Sequence, residues 1–224
     1  MSLQLAIMAS GDGSNAQAII DAVKRGALDA KVRLVLSNKP QAGVLERARR
    51  AGVPCCCVEH TAYPDRESFD AALVAAIRDA GADTVALAGY MRLVTPVFLR
   101  AFPGRVLNIH PSLLPAFSGM DGVAEALAWG VKLAGCTVHF VDEQMDHGAV
   151  IIQAAVPCMP DDPRDALLER LHTVEHRIYP QALQWLASGR IQLRNRHVLL
   201  APATSTVAAV EPSCLIWPPL EEWF

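Results

Sequence analysis

The sequence predicts an α/β protein: a mostly parallel, Rossmann-like sheet with helices on both faces and an antiparallel extension in its C-terminal half. Three observations carry this expectation. Through roughly the first half of the chain, apolar runs of strand length alternate with stretches whose apolar residues recur at helical spacing. That alternation implies parallel strands joined by right-handed crossovers. The first apolar run breaks at a glycine-rich turn, Ser10-Gly11-Asp12-Gly13-Ser14-Asn15, and a helical pattern follows. Beyond Cys136, two β-rich runs are separated by a polar segment and can pair antiparallel.

Each element has its own signal. Residues 3–9 are an apolar strand. Ala16, Ile19, Ile20 and Val23 recur at i, i+3, i+4 and i+7, with Lys24, Arg25 and Gly26 as basic last-turn residues and a C-cap. Residues 32–36 are a second strand, 44–51 a short helix ended by Gly52, and 53–58 a third strand. Phe69, Ala72, Leu73, Ala76 and Ile77 mark a helix closed by Gly81, and residues 84–88 and 105–109 are buried strands. Residues 136–141 and 149–156 form the extension, and 164–188 a long helix with a kink expected at Pro180. The chain reads as one domain over 1–196 with a tail, 197–224, left without assigned structure; residues 201–224 hold four prolines and no Lys or Arg.

Composition narrows the function classes. The chain has 224 residues, 52% of them hydrophobic, which excludes disorder as the main state. Twenty Lys and Arg against 23 Asp and Glu leave a net charge of −3, so no positive field exists to displace phosphate counterions and no nucleic-acid partner is expected. No stretch approaches ~18 consecutive apolar residues, so no membrane span is expected. No Lys or Arg precedes Lys24, so a signal-peptide n-region is lacking. The consecutive Cys55, Cys56 and Cys57 suit a strand of a reduced, cytoplasmic protein better than mutual bridges.

Chemistry concentrates at strand ends, where open α/β sheets bind ligands. The turn at 10–15 can cradle an anion on backbone N–H groups at a helix start. It fits only the looser dinucleotide fingerprint, and the second strand ends in Ser37-Asn38 without an acid for a ribose. The bland alternative is a tight turn with Ser14 or Asn15 as N-cap; Asp12 would repel phosphate unless turned away. Asn108 and His110 share one side of a strand by alternation, an amide and an imidazole able to stabilise an oxyanion and move a proton. The bland alternative is a capping Asn and a hydrogen-bonded His. The acids of Asp142-Glu143-Gln144-Met145-Asp146 form a solvated loop or place one carboxylate against His110, raising its pKa and orienting it. His139 reads as a hydrogen-bonded core residue with a chance of touching that loop. Glu175 falls on the apolar face of its helix, with Leu168, Leu171, Ile178 and Ala182, and needs a buried partner: a ligand or an Arg.

Five segments together resemble the phosphoribosylglycinamide formyltransferase family: Ser10-Gly11-x-Gly13-Ser14-Asn15, Ala88-Gly89-Tyr90-Met91-Arg92, Asn108-Ile109-His110-Pro111-Ser112-Leu113-Leu114-Pro115, Gly135-Cys136-Thr137-Val138-His139-Phe140-Val141 and Asp146-x-Gly148. They occur in order and span most of residues 3–190. The resemblance implies the formyltransferase fold and transfer of a formyl group from 10-formyltetrahydrofolate, as co-substrate, to the amine of glycinamide ribonucleotide, with no metal. It implies Asn108, His110 and Asp146 as the catalytic trio. It puts Gly13, Ser14 and Asn15 on the ribonucleotide phosphate and Glu175 on its sugar side. Arg66, Met91, Arg92, Leu93 and Val94, with Asn108, fall on the folate side, Arg92 suiting the glutamate carboxylate. Partners are then small molecules, and the chain a monomer or homodimer. Two departures stand out: Asp12 in the phosphate turn, and Val123 where a His commonly precedes the next helix.

Other readings remain. Formyltetrahydrofolate deformylase shares the catalytic core but usually carries an N-terminal regulatory domain, and none is expected to fit before Leu3. Methionyl-tRNA formyltransferase would need a further C-terminal domain and a basic surface. His172-Thr173-Val174-Glu175-His176 matches a zinc-protease pattern, H-x-x-E-H, although His176 is expected to face away from the sheet. A non-catalytic folate- or nucleotide-binding relative is the remaining class.

Overall fold

The structure is a computed structural model that describes residues 2–159, 161–202, 215–218, 220 and 221. The first half runs β1 (Leu3–Met8), α1 (Ser14–Lys24), β2 (Ala30–Ser37), α2 (Gly43–Ala51), β3 (Cys55–Cys57), α3 (Arg66–Asp79), β4 (Thr84–Leu87), α4 (Pro96–Ala101) and β5 (Val106–His110). It continues with α5 (Gly122–Trp129), β6 (Leu133–Phe140), β7 (Val150–Pro157), α6 (Arg164–Ala187), β8 (Ile191–Arg194), β9 (His197–Leu200) and β10 (Leu215–Trp217). Eight strands form one sheet in the order β10-β7-β6-β5-β4-β1-β2-β3, and β8 and β9 make a separate hairpin. Strands β1 to β5 pair parallel; β6, β7 and β10 extend the sheet antiparallel from β5.

Two cores explain why the inner strands are continuous apolar runs: both of their faces are covered. Leu3, Leu5 and Ile7 of β1, Ala86 of β4, and Leu107 and Ile109 of β5 face one core, against Ile19, Ile20, Val44, Leu45, Val123 and Ile178 of α1, α2, α5 and α6. The alternate residues Ala6, Met8, Val85, Leu87 and Val106 face the other, against Phe69, Leu73 and Ile77 of α3 and Phe98 of α4. The period-two alternation of the strands thus sorts the helices into two layers.

The order of the strands has a consequence for ligands. From β1 the chain steps outward to β2 and β3, then returns to lay β4 on the other side of β1. The connection leaving β1 enters α1 in one layer, and the connection leaving β4 enters α4 in the other. Their divergence opens a crevice at the carboxyl ends of β1 and β4. Below it, Tyr179 of α6 is fully buried, its hydroxyl 3.0 Å from the Leu87 carbonyl and 2.9 Å from that of Leu107. The hydroxyl thereby ties the long helix to the ends of β4 and β5.

Several elements lie outside the sequence expectation. Helices α4 and α5 are too short, at six and eight residues, for a helical stripe to register. Helix α6, by contrast, runs through Pro180 over nearly the expected span. Part of the C-terminal segment is ordered: β9 pairs with β8 in the separate hairpin, and β10 adds antiparallel to the β7 edge of the sheet. Most of the four-proline stretch lies outside the described residues. Replacing Tyr179 with Phe removes the shared donor from two buried carbonyls and is expected to cost about 1–3 kcal/mol of stability, read as a lower urea midpoint; an unchanged midpoint would show that the tie carries no stability.

Candidate active site

Ser10 joins three strand ends at the crevice. Its N–H donates to the Gly89 carbonyl at 2.9 Å, its Oγ donates to Asn38 Oδ1 at 2.6 Å, and the same Oγ accepts the Met91 N–H at 2.9 Å. Asn38, which follows the end of β2, is therefore scaffold within the turn. Gly13 caps α1 with φ +83°, and a Cβ there would meet Val44 Cγ2 at 2.5 Å, so the position needs glycine on both counts. The N-cap is Gly13 itself and no side chain caps the helix, in contrast to the capping alternative with Ser14 or Asn15. No side chain therefore satisfies the first N–H groups of α1, which follows the carboxyl end of β1.

Asp12 does not stand against an anion there. Its Oδ2 pairs with Arg47 Nη2 at 2.6 Å, and Arg47 Nε donates to the Asp12 carbonyl at 2.9 Å. The carboxylate is turned toward α2 and is neutralised by it. Val123, the second departure, is a buried core residue in the first turn of α5.

Asn15 takes a different partner. Its Nδ2 donates to Glu175 Oε2 at 2.7 Å, while Asn15 Oδ1 is buried without a partner. Glu175 is 4% exposed; among the described residues it pairs with this amide and, at 4.0 Å, faces His172 Nε2, and no Arg among them forms the ion-pair alternative. Burial pushes the Glu175 carboxyl above the ordinary carboxylate range, opposed by the Asn15 hydrogen bond and by the nearby His172 and His110. His176 packs parallel to His172, ring centroids 5.8 Å apart, with its Nε2 buried. Among the described residues no group of three or more His, Cys, Asp or Glu converges as metal ligands would.

A second set of residues lines a cleft of about 800 Å³. Asn108 and His110 at the end of β5, His139 on β6 and Asp146 on the β6–β7 loop meet at its wall. His110 Nδ1 lies 3.4 Å from Asp146 Oδ2, and His110 Nε2 lies 2.9 Å from the Phe117 carbonyl. Asp146 adopts φ +50°, an uncommon conformation for a non-glycine residue, and its Oδ2 accepts the Gly119 N–H at 3.0 Å. Gly148 is needed beside it, because a Cβ there would sit 1.7 Å from the Phe140 carbonyl oxygen.

His139 is closer to the chemistry than its apolar strand suggested. Its Nδ1–H donates to the Phe140 carbonyl at 2.8 Å, which leaves the lone pair on Nε2 to accept from Asn108 Nδ2 at 3.2 Å. Burial pushes its pKa down, favouring this neutral tautomer. The imidazole thus fixes which way the Asn108 amide points. The available signal was cross-strand register: Asn108 pairs directly with His139, and a β5–β6 pairing had not been expected.

The residues assigned to the folate side also line this cleft: Arg66, Met91, Arg92, Leu93 and Val94. Arg66 Nη2 donates to the Leu93 carbonyl at 2.9 Å, and buried Asp70 accepts the Thr95 N–H, which anchors the loop 91–95 from below. The Arg92 guanidinium lies over the Phe69 ring, 5.3 Å from its centroid. Met91 and Leu93 are more than half exposed at the rim. Gly13, Ser14, Asn15 and Glu175 lie outside this cleft, on the α1 and α6 side. The two sets flank the strand ends from the two layers.

A formyl transferase family model matches residues 3–183. A phosphoribosylglycinamide formyltransferase of Escherichia coli strain K12 is 43% identical over 191 residues, covering 85% of this chain and 90% of that protein. The chain belongs to the phosphoribosylglycinamide formyltransferases of the formyl transferase family. The crystal structure of a glycinamide ribonucleotide transformylase from Symbiobacterium toebii matches this formyl transferase with a TM-score of 0.89 at 47% identity, covering 90% of this chain and 95% of that one. The trifunctional purine biosynthetic protein adenosine-3 of Drosophila melanogaster is 47% identical over 188 residues, 83% of this chain but 14% of that much longer protein.

Because the ionised form of Glu175 is disfavoured by burial, its folded-state pKa lies above its unfolded value. Its destabilising charge is absent below the unfolded pKa and is imposed as pH rises through the folded one. Glu175→Gln keeps an acceptor for Asn15 and is expected to stabilise the ligand-free protein at pH 7.5, the gain over wild type shrinking as pH falls toward 4.5. Paired urea titrations at both pH values check this; a variant less stable than wild type at pH 7.5 would contradict it.

Proposed function

We propose that this formyl transferase moves the formyl group of 10-formyltetrahydrofolate to the primary amine of 5′-phosphoribosylglycinamide, a step of purine biosynthesis. The observation that carries the reading is the meeting of Asn108, His110 and Asp146 at one cleft beside an uncapped helix start. The family membership and the 43% identical E. coli enzyme point the same way.

On this reading the folate occupies the cleft and the ribonucleotide lies along α1 and α6. The phosphate takes the free N–H groups at Gly13, Ser14 and Asn15, and the sugar hydroxyls reach Glu175, whose cost of burial a ligand hydroxyl offsets. Arg92 receives the glutamate carboxylate of the folate, and Arg66, Met91, Leu93 and Val94 shape the pterin end. The amine nitrogen attacks the formyl carbon, and the carbonyl oxygen becomes an oxyanion. Asn108 donates an amide N–H to it, in an orientation held by His139. His110 donates its Nε2–H in place of the Phe117 carbonyl, while Asp146 holds Nδ1. Both ring nitrogens of His110 face oxygen acceptors. The tetrahedral intermediate collapses with loss of the folate N10, and a proton passes from the amine to that nitrogen, by way of His110, Asp146 or water. No covalent enzyme intermediate is required. The reading places the protein in the cytoplasm as a monomer or homodimer acting on small molecules.

The deformylase alternative shares the trio but needs no anion turn. A turn cleared of competing charge by the Asp12–Arg47 pair supports an acceptor that carries phosphate.

His110→Ala is expected to lower kcat by about 100–1000-fold, as loss of one oxyanion donor does. Consumption of 10-formyltetrahydrofolate is expected to require glycinamide ribonucleotide. Formate release at the same rate without that acceptor would overturn the transferase reading in favour of the hydrolase.

A further inference from the structure

We propose that Arg196, at the tip of the β8–β9 hairpin, is a positioning residue for the loop that carries Asp146. The inference rests on the function proposed above and concerns a part of the chain beyond the family match, which ends at residue 183.

From inside, the loop between β6 and β7 is held through Asp146, whose Oδ2 accepts the Gly119 N–H and faces His110. From outside it is closed on itself. Asp142 Oδ1 accepts the Gln144 N–H at 3.0 Å, and Asp142 Oδ2 accepts the His147 Nδ1–H at 2.8 Å. Arg196 Nη1 lies against the same ring, 2.8 Å from His147 Nε2 and 3.1 Å from Nδ1. Carboxylate, imidazole and guanidinium form a line from the loop to the hairpin. The Asp142 and His147 side chains are 42% and 43% exposed, so this is a brace laid on the outer surface of the loop.

The hairpin can act as a support because its base is fixed. Arg190, just before β8, donates to the Ala201 carbonyl through Nε at 3.1 Å and Nη2 at 2.8 Å, and its Nη1 pairs with Glu221. The Glu221 N–H donates to Gln181 Oε1 of α6 at 3.0 Å. A continuous path thus runs from the rigid long helix through the hairpin to His147, the residue next to Asp146. Asp146 sits at φ +50°, and one-residue displacements of the loop would carry its carboxylate off His110. Misplacement by about 1 Å at a reacting site is enough to cost up to about 100-fold in rate.

The test is a double-mutant cycle of Arg196→Ala and His147→Ala, with Arg196→Lys as the conservative control. Steady-state kinetics are read with both substrates, and amide hydrogen exchange of residues 143–148 by mass spectrometry. Each alanine variant is expected to lower kcat about fivefold to tenfold with KM for glycinamide ribonucleotide within about twofold of wild type. The double variant should be no slower than the slower single one, because both break the same line. Arg196→Lys should recover most of the rate, and exchange across 143–148 should accelerate in both alanine variants. Unchanged kcat, additive losses, or unchanged exchange would overturn the brace. Wild-type protein without acceptor-dependent formyl transfer would instead overturn the functional reading, and the exchange measurement would still decide the brace.

Discussion

The placement of β4 beside β1, after the chain has already wound outward through β2 and β3, is the constraint on which the site depends. It sends the two connections into opposite helical layers and leaves the carboxyl ends of adjacent strands uncovered. Backbone N–H groups from the α1 side and a cleft from the α3–α4 side then open toward the same place. Neither set of residues lies near the other in sequence; the crossover geometry of a parallel sheet brings them there. Ser10 makes the junction rigid by bonding to all three strand ends at once.

The groups at this junction are held at a cost to stability. Glu175 is a carboxylate buried in a core layer with an amide as its hydrogen-bond donor. Asp146 adopts a left-handed backbone conformation, and Asn15 Oδ1 is buried without a partner. Strain and unmet polar groups concentrated at one place are the expected signature of a ligand site, where a bound molecule supplies the missing interactions. By contrast, charge that would oppose an anion has been neutralised locally, by Arg47 on Asp12. Within the cleft, His110 and His139 have different partners. His139 is kept neutral by burial so that it can orient an amide, while His110 has an oxygen acceptor at each ring nitrogen.

Much of this was legible in the residues. Strand alternation placed Asn108 and His110 on one side of β5, and the helical spacing of Leu171, Ile178 and Ala182 exposed Glu175 as a carboxylate on a core face. The five ordered segments gave the family, which the comparisons bear out. Other features were not legible, for physical reasons. The partner of Asp12 lies 35 residues away on another helix, a contact fixed by packing and not by local pattern. His139 looked like core because its strand is apolar; only its register against β5 reveals the Asn108 contact. Helices α4 and α5 are too short to show a stripe, and the strands β8, β9 and β10 are short segments whose pairing depends on edges formed elsewhere.

A crystal structure with glycinamide ribonucleotide and an unreactive analogue of the formyl folate bound together tests the central claim most directly. The account predicts the phosphate on the backbone of Gly13, Ser14 and Asn15, the pterin in the cleft, and the acceptor amine and the formyl carbon surrounded by Asn108, His110 and Asp146. A ribonucleotide bound away from the α1 start, or a formyl group beyond the reach of Asn108 and His110, would contradict it.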